Sequence, residues 1–410
     1  VNGPVRPSTI DTEVAIVGGG LGGLPLGIAL ARAGIATAVI DREPPASMLE
    51  APFDGRTTAI ACGSRRVLDA IGVWRHLADR VQPILDIRVA DAGSSLFLHY
   101  DHRAVGDEPF GWIVENRDLR RAMFAAAADL PALSHLAPAA VERVERMSER
   151  IALTLSGGGT VRARLAVGAD GKRSMLRDWA GIGTIGTTYA QHSIICTVEH
   201  ERPHHGVAIE HFLPSGPFAI LPMTGNRSSV VWTERADLVP GFLALDDAGF
   251  AAEVASRFGS WLGVVRVAGP RGAYPLEVLL ARRMAAPRLA LVAESAHVIH
   301  PIAGQGLNLG IRDVAVLAEL VVDQCRLGLD PGARSLLERY ERRRRGDTLL
   351  LTAATDGINR LFSNDIAPVR RARGIGLAAV ERLPPLKRLF MRHAMGLLGD
   401  LPRLVAGEPL

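Results

Sequence analysis

The sequence is poor in cysteine, in long apolar runs and in clustered metal ligands. Its three cysteines, Cys62, Cys196 and Cys325, lie far apart in 410 residues and form no C-x-x-C pair. That spacing excludes a disulfide framework and a cysteine-ligated metal, and it suits a reducing cytoplasm. The longest apolar runs fall short of the roughly 18–20 residues that cross a bilayer. No charged-then-apolar leader opens the chain; its first ten residues, VNGPVRPSTI, begin without Met and are expected to stand outside the fold. Repeats, low-complexity tracts and an acyl-transfer triad are also missing. His297 and His300 are three apart, which makes them neighbours only on a helix. Pro301 opposes a helix there, so no metal site is expected.

What is present reads as a soluble enzyme: 48% apolar and 22% charged residues, with a net charge of +4. The length exceeds one ordinary core, so two domains, possibly interleaved, are expected. Charge is uneven: from Arg360 to Arg403, nine Lys/Arg stand against three Asp/Glu. In that tail Leu386, Leu389, Phe390, Ala394 and Leu397 keep helical spacing, with Lys387, Arg388 and Arg392 on other faces. Such a helix can lie on an anionic membrane or dock on its own domain. No nucleic-acid partner is expected.

Near the N-terminus, Glu13 to Val17 reads as a buried strand followed by Gly18-Gly19-Gly20-Leu21-Gly22-Gly23 and a helical pattern to Ala33. A second strand, Ala36 to Ile40, closes on Asp41 and Arg42. In this strand, G-x-G-x-x-G, helix, strand, acid order, Gly18 permits the turn and Gly20 lets a pyrophosphate approach the backbone. Gly23 lets helix and strand pack closely. Asp41 can accept ribose hydroxyls, so this half of the chain reads as a Rossmann-like dinucleotide fold.

Further along, Pro44 to Gly55 reads as a loop, and Arg56 could reach a phosphate or make a surface ion pair. A helix is expected from about Gly63 to Ile71. Asn116 and Arg117 sit at a strand-to-helix junction, where polar side chains cap helices as often as they bind ligands. A third apolar strand ends at Asp170-Gly171. From Gln191 to Glu234 four β-like runs without helices predict a largely antiparallel sheet. Phe218, Leu221, Pro222 and Trp232 are its candidate cavity-wall residues, with core packing the alternative. Then comes LALVAESAHVIHPIAGQGLNLGIRD, Leu289 to Asp313: a strand ending in Glu294, two histidines, a Gly-Gln-Gly turn and a helix from about Leu307. A turn before a helix leaves N–H groups free for an anion or an electron-rich ring edge.

Taken together, Gly18–Gly23, Asp170-Gly171 in GADGKRSMLR, and Ala293-Glu294 with Pro301, Gly304, Gly306 and Asn308 resemble the flavin-dependent aromatic hydroxylases typified by p-hydroxybenzoate hydroxylase. The wording of HPIAGQGLNLGIRD, GPFAILPM, YERRRR and the tail is most similar to the ubiquinone-biosynthesis branch, of the 2-polyprenyl-6-methoxyphenol hydroxylase type. The resemblance implies a mixed α/β fold. Residues 11–80, 111–182 and 285–345 would form the FAD-binding domain, 81–110 and 183–284 an interleaved antiparallel substrate domain, and 346–410 a helical basic C-terminal region.

It also implies FAD as cofactor, held by Gly18, Gly20, Gly23, Asp41, Arg42, Arg56, Arg117, Asp170, Glu294, Pro301, Gly304, Gln305, Gly306, Leu307 and Asn308. NAD(P)H would be a transient co-substrate without a Rossmann unit of its own. The reaction implied is transfer of oxygen from O2 to a polyprenylated phenol through a flavin C4a-hydroperoxide, with His297 or His300 assisting phenol deprotonation. Contact with a membrane or a biosynthetic complex would run through the basic tail. Two positions depart from the family: Ala293-Glu294 stands where Gly-Asp is usual, and Asp41 where Glu is commoner. Hydroxylation of a small soluble phenol, reduction of prenyl double bonds, and non-catalytic lipid binding remain alternatives.

Overall fold

The computed structural model of the chain describes residues 9–50, 52–91 and 97–410; most of the expected lead segment lies outside them. The chain begins with β1 (Thr9–Val17), α1 (Gly23–Arg32) and β2 (Thr37–Ile40), and a short helix, α2 (Pro45–Leu49), falls within the expected loop. Next come β3 (Thr57–Ala61), α3 (Cys62–Ala70), β4 (Val81–Ile84), the hairpin β5 (Asp86–Asp91) and β6 (Phe97–Asp101), β7 (Gly111–Glu115) and α4 (Asn116–Ala127). They lead to β8 (Leu133–Leu136), β9 (Val141–Arg146), β10 (Ile151–Leu155) and β11 (Thr160–Gly168).

The second half holds α5 (Met175–Trp179), β12 (Thr184–His200), β13 (Val207–Leu213), β14 (Gly216–Met223), β15 (Arg227–Arg235), α6 (Val239–Leu243), α7 (Asp247–Phe258), β16 (Val265–Val267) and β17 (Gly272–Ala281). It then returns to the first sheet with β18 (Ala285–Ala286) and β19 (Leu289–Leu291), passes β20 (His297–Val298), and ends in α8 (Gln305–Arg326), α9 (Arg334–Phe362), α10 (Ala367–Arg382), α11 (Pro384–Ala394) and α12 (Arg403–Ala406).

The first sheet is parallel at its centre, in the order β19-β11-β1-β2-β8, with Val14 facing Leu165 and Thr37. Its strands read as continuous apolar runs because helices cover both faces of such a sheet. Val14, Ala15, Ile16, Leu165, Ala166, Val167, Leu289 and Leu291 are fully buried, and α1 and α8 pack on one another above them. The C-terminal ends of β1, β2, β11 and β19 therefore converge on one edge, where open α/β sheets bind ligands.

The second sheet has nine strands, more than the four expected, because β5, β6, β16, β17 and β20 join β12 to β15. β20 brings His297 and Val298 onto its edge beside Leu280 and Leu279, so the loop after β19 ties the two sheets together. Among the described residues no helix is long and apolar enough to cross a membrane.

Candidate functional site

The site grows from the ends of the parallel strands. At Gly18 φ is +105°, a conformation that favours glycine, and a Cβ there would overlap the Ala169 carbonyl. A Cβ on Gly23 would likewise overlap the Gly18 carbonyl, so β1, α1 and the end of β11 meet with no room for side chains. Around Gly20, by contrast, a Cβ would meet nothing within 4 Å. α1 starts three residues on, at Gly23, with no side-chain cap, and its Leu24 N–H donates to the Gly20 carbonyl at 3.1 Å. Asp41 leans over the loop: Oδ2 accepts from the Gly19 N–H at 2.6 Å and Oδ1 from the Glu43 N–H at 2.8 Å. Arg42 turns away, its side chain 82% exposed and 3.7 Å from Glu43.

The second contact region is the end of β11. Asp170 Oδ2 accepts from the Leu176 N–H at 3.2 Å, while Oδ1 is buried without a partner. A buried carboxylate oxygen left bare costs stability unless a ligand or water meets it. Glu294 Oε2 lies 4.0 Å from where a Gly171 Cβ would stand, so Asp170-Gly171 and Glu294 border one space.

Glu294 is set by its neighbour. Ala293 has φ +54°, rare for a residue with a side chain, and its methyl is keyed between two glycines. A Cβ on Gly22 would come within 2.7 Å of it, and one on Gly310 within 2.8 Å. The Ala293 N–H donates to Asp313 Oδ2 at 3.0 Å, the same oxygen that meets His297 Nε2 at 2.6 Å; Arg344 Nε donates to Oδ1 at 2.6 Å. Asp313 is fully buried, and burial alone would raise its pKa; His297 and Arg344 outweigh that and hold it below the usual carboxylate range.

The keying makes a specific prediction. Gly22→Ala should destabilise the flavin-free protein by about 1–3 kcal/mol through overpacking. In the Ala293→Gly background the same change should cost less, because the methyl it strikes is gone. Denaturant unfolding of the four proteins measures the coupling; independent effects would show that the contact does not matter.

The two histidines separate. His297 belongs to the Asp313 network. His300 is fully buried, and its Nδ1 accepts from the Ile302 N–H at 3.3 Å, which leaves Nε2 carrying the proton with no acceptor. Burial pushes its pKa down to about 4, against a smaller opposite pull from Asp356. At neutral pH it is an uncharged donor and a weak base, which favours hydrogen bonding over the deprotonating role expected from sequence.

After Pro301, Gly304 adopts φ +61° with Ala59 beside it, and α8 begins at Gln305, two residues before the expected start. Gly306 is exposed, and a Cβ there would meet nothing within 4 Å. Leu307 is half-buried against the main core. Asn308 turns inward: Oδ1 accepts from the Ala61 N–H at 2.9 Å, and Nδ2 donates to the Ala59 and Gly304 carbonyls at 2.9 and 3.0 Å. It stitches β3 to the turn. Gln305 Nε2 donates to the Ala394 carbonyl at 3.3 Å, and the Gly63 N–H donates to the Met395 carbonyl at 2.9 Å. The basic tail thus docks on its own domain with one face.

On the other side, Arg56 pairs with Asp54 at 2.6 Å; burial opposes its charge, but Asp54 outweighs this and raises its pKa. Arg120, on α4, is depressed by burial and by the charge of Arg56. Two arginines sharing one carboxylate can accept an anion. Arg120 is one turn past Arg117 in NRDLR, a spacing that could have flagged it. Arg117 itself donates to Glu115 at 2.7 Å and covers the Phe53 ring.

Of the four candidate wall residues, three are turned to the core by strand alternation. Phe218 and Trp232 are cross-strand partners with no exposure, packed under Phe250, Val254 and Phe258. Pro222, buried opposite Ser228, shares their face of β14. Leu221 points to the opposite face and clusters with Ala59, Met223, Met391 and Met395, beside the turn.

The family described as "FAD binding domain" matches residues 11–350. The chain belongs to that family. It is 57% identical to the ubiquinone hydroxylase UbiL of Rhodospirillum rubrum, over all of this chain and 96% of that one. It is 35% identical to the 3-demethoxyubiquinol 3-hydroxylase of Escherichia coli, over 94% and 99% of the two chains. Its fold matches p-nitrophenol 4-monooxygenase PnpA of Pseudomonas putida DLL-E4 with a TM-score of 0.80 at 20% identity, covering 96% and 99%. FAD suits the residues described: the bare Asp170 Oδ1, and the open spaces at Gly20 and Gly306 where helix N-termini present N–H groups.

Proposed function

We propose that the chain hydroxylates the ring of a polyprenylated phenol in ubiquinone biosynthesis, using FAD, NAD(P)H and O2. Phenol, O2, NAD(P)H and a proton give the ring-hydroxylated phenol, water and NAD(P)+. The observation that carries this reading is end-to-end similarity to UbiL, with the three cofactor-facing segments meeting at one sheet edge. Bound FAD would supply the redox chemistry that lets O2 react with a closed-shell ring.

The protein's part is binding, orientation and exclusion of water. Gly18–Gly23 and Asp41 take the adenosine and pyrophosphate end, helped by α1. Asp170 and Glu294 take hydroxyls of the ribityl chain, and Arg56 with Arg120 take negative charge. The N–H groups of Gly304–Asn308 would face the reactive ring edge, where a helix N-terminus stabilises negative charge. Asn308, Asp313 and Ala293 position these groups without touching the ligand. His300, fully buried against the Tyr189 ring, shapes the segment that leads into the turn, and Leu221 lines the apolar wall.

Residues 11–80, 111–182 and 285–345 serve the cofactor; 81–110 and 183–284 serve the substrate. The protein works from the cytoplasmic side, and its C-terminal region contacts the membrane or complex that holds so insoluble a substrate.

Oxygen uptake tests the reaction class. With FAD, NAD(P)H and a short-chain prenyl-methoxyphenol, uptake should rise with substrate and match the hydroxylated product formed. Consumption of NAD(P)H with a saturated prenyl chain and no oxygen uptake would establish prenyl reduction instead. Uptake with small soluble phenols alone would assign the chain to soluble substrates.

A further inference from the structure

α9 changes character half-way along. In its first half the exposed positions include Arg334, Glu338, Arg342 and Arg345, an ordinary solvated face. From residue 349 onward the exposed positions are dominated by Leu349, Leu350, Ala353, Ala354, Ile358 and Leu361. Their spacing, i, i+1, i+4, i+5, i+9 and i+12, is one stripe of a helix. Leu350 is 61% exposed.

The opposite face of the same turns buries Thr348, Thr352, Thr355 and Asn359 beside Leu351 and Phe362. That orientation is fixed by polar contacts. Asn359 Nδ2 donates to Gln191 Oε1 at 3.0 Å, while Thr352 and Thr355 satisfy their hydroxyls within the helix, on the Thr348 and Leu351 carbonyls at 2.7 and 3.0 Å. Asp356 accepts from the Tyr189 hydroxyl at 2.5 Å. The helix therefore holds its polar residues inside and its apolar stripe outside.

α10 packs on α9 and α11 on α10, and both add exposed apolar groups: Ile375 at 71%, Leu389 at 50% and Phe390 at 45%. Among the described residues 349–397, the exposed arginines are Arg360, Arg382, Arg388 and Arg392, and Asp365 is the one exposed carboxylate. Asp356 and Glu381 are engaged, with Arg360 and Lys387 respectively.

We propose that the outward stripe of α9, with the apolar groups of α10 and α11 beside it, seats on an anionic lipid bilayer. An apolar face rimmed by arginine matches such a surface in both terms of its binding. It disfavours a second copy, because like-charged rims would meet. The inner side of α9 reaches the cofactor-facing turn. Leu351 packs with Ile299 and Leu309, and Phe362 stacks on Phe212 at 4.1 Å in a cluster with Ile302. The bilayer and the turn would thus be separated by one helix, about 10–12 Å across. That the bilayer delivers substrate rests on the prenylated-phenol reading; lipid binding itself does not.

Deleting the chain after Asp365 would also strip Met391 and Met395 from beneath the site, so exposed point changes are the cleaner test. The FAD-loaded full chain is floated with phosphatidylcholine vesicles, with or without about one-third phosphatidylglycerol. It should float with the anionic vesicles and be released by high salt. L350E/I358E should lose at least tenfold in bound fraction, while keeping its flavin and its turnover of a short-chain prenylphenol. If that variant loses flavin, L350S/I358S takes its place and should show the same loss.

Equal flotation of variant and parent overturns the proposal, as does failure of the parent to float. A parent dimer that the substitutions split into monomers, by light scattering without lipid, also overturns it and assigns the face to a second copy. None of these results touches the hydroxylation reading, which stands on the short-chain turnover.

Discussion

Asp313→Ala should destabilise the protein by about 2–4 kcal/mol, because the buried Arg344 guanidinium loses one of its two carboxylate partners and keeps only Asp347, at 2.7 Å. It also frees the Ala293 N–H and the His297 ring, both held by the same carboxylate. The effect should reach the cofactor, since Ala293 sets the direction of Glu294. Flavin affinity should fall together with stability, and chemical denaturation and flavin titration of the purified variant would read the two losses. Asp313→Asn keeps the shape and one acceptor, so its cost should be smaller.

The same carboxylate gives a pH dependence. Its folded-state pKa is held below the ordinary carboxylate value. Its contribution is therefore fully present above the unfolded carboxylate pKa and is lost as pH falls through the folded one. The parent should lose more stability on acidification than Asp313→Asn does.

Gly306→Leu should do the reverse: leave the flavin-free protein as stable as before and abolish flavin retention. A Cβ at this position meets no protein atom within 4 Å, and leucine is a better helix former than glycine by about 0.8–1 kcal/mol. Gly306 is exposed and the fold leaves the first atom of the side chain free, so a ligand at the start of α8 is what would oppose it. A loss in flavin affinity of a hundredfold or more, with unchanged or higher melting temperature without flavin, is the expected pair. Gly23→Ala is the contrast. Its Cβ would overlap the Gly18 carbonyl, so stability and flavin should fail together.

These two substitutions mark where sequence reading carried and where it stopped. Glycine spacing and strand-terminal acids were legible because the chemistry of close backbone approach leaves few residue choices. Gly18, Gly20, Gly23, Asp41 and Asp170 accordingly come together at one edge. Orientation was not legible. Asn308 sits in the cofactor-facing turn yet spends its carboxamide on the Ala59 and Ala61 backbone. Phe218 and Trp232 lie in the right sheet on the wrong face for a cavity wall, a matter of strand register that a single run of apolar residues does not reveal.

The long-range partners were hidden as well. Asp313 was visible at the end of the quoted stretch, but its companions Arg344 and His297 lie 31 and 16 residues away along the chain. The departure at Ala293-Glu294 also changes meaning. Its methyl fills a gap between Gly22 and Gly310, so the unusual pair is supported by two glycines and an aspartate. The spacing of Leu386, Leu389, Phe390, Ala394 and Leu397 predicts a basic amphipathic helix in the tail. In the structure the larger exposed apolar stripe belongs to the end of α9, whose inward threonines gave no periodic apolar signal.

The central claim is that this chain moves an oxygen atom from O2 to a phenolic ring bearing a prenyl chain. Its most direct test is product mass after turnover under oxygen-18 gas, with FAD, NAD(P)H and a short-chain prenyl-methoxyphenol. The account predicts a phenol with one added hydroxyl group that carries one labelled oxygen atom, formed in step with NAD(P)H consumed. Recovery of unaltered phenol beside labelled hydrogen peroxide, from protein shown to hold its flavin, would contradict it.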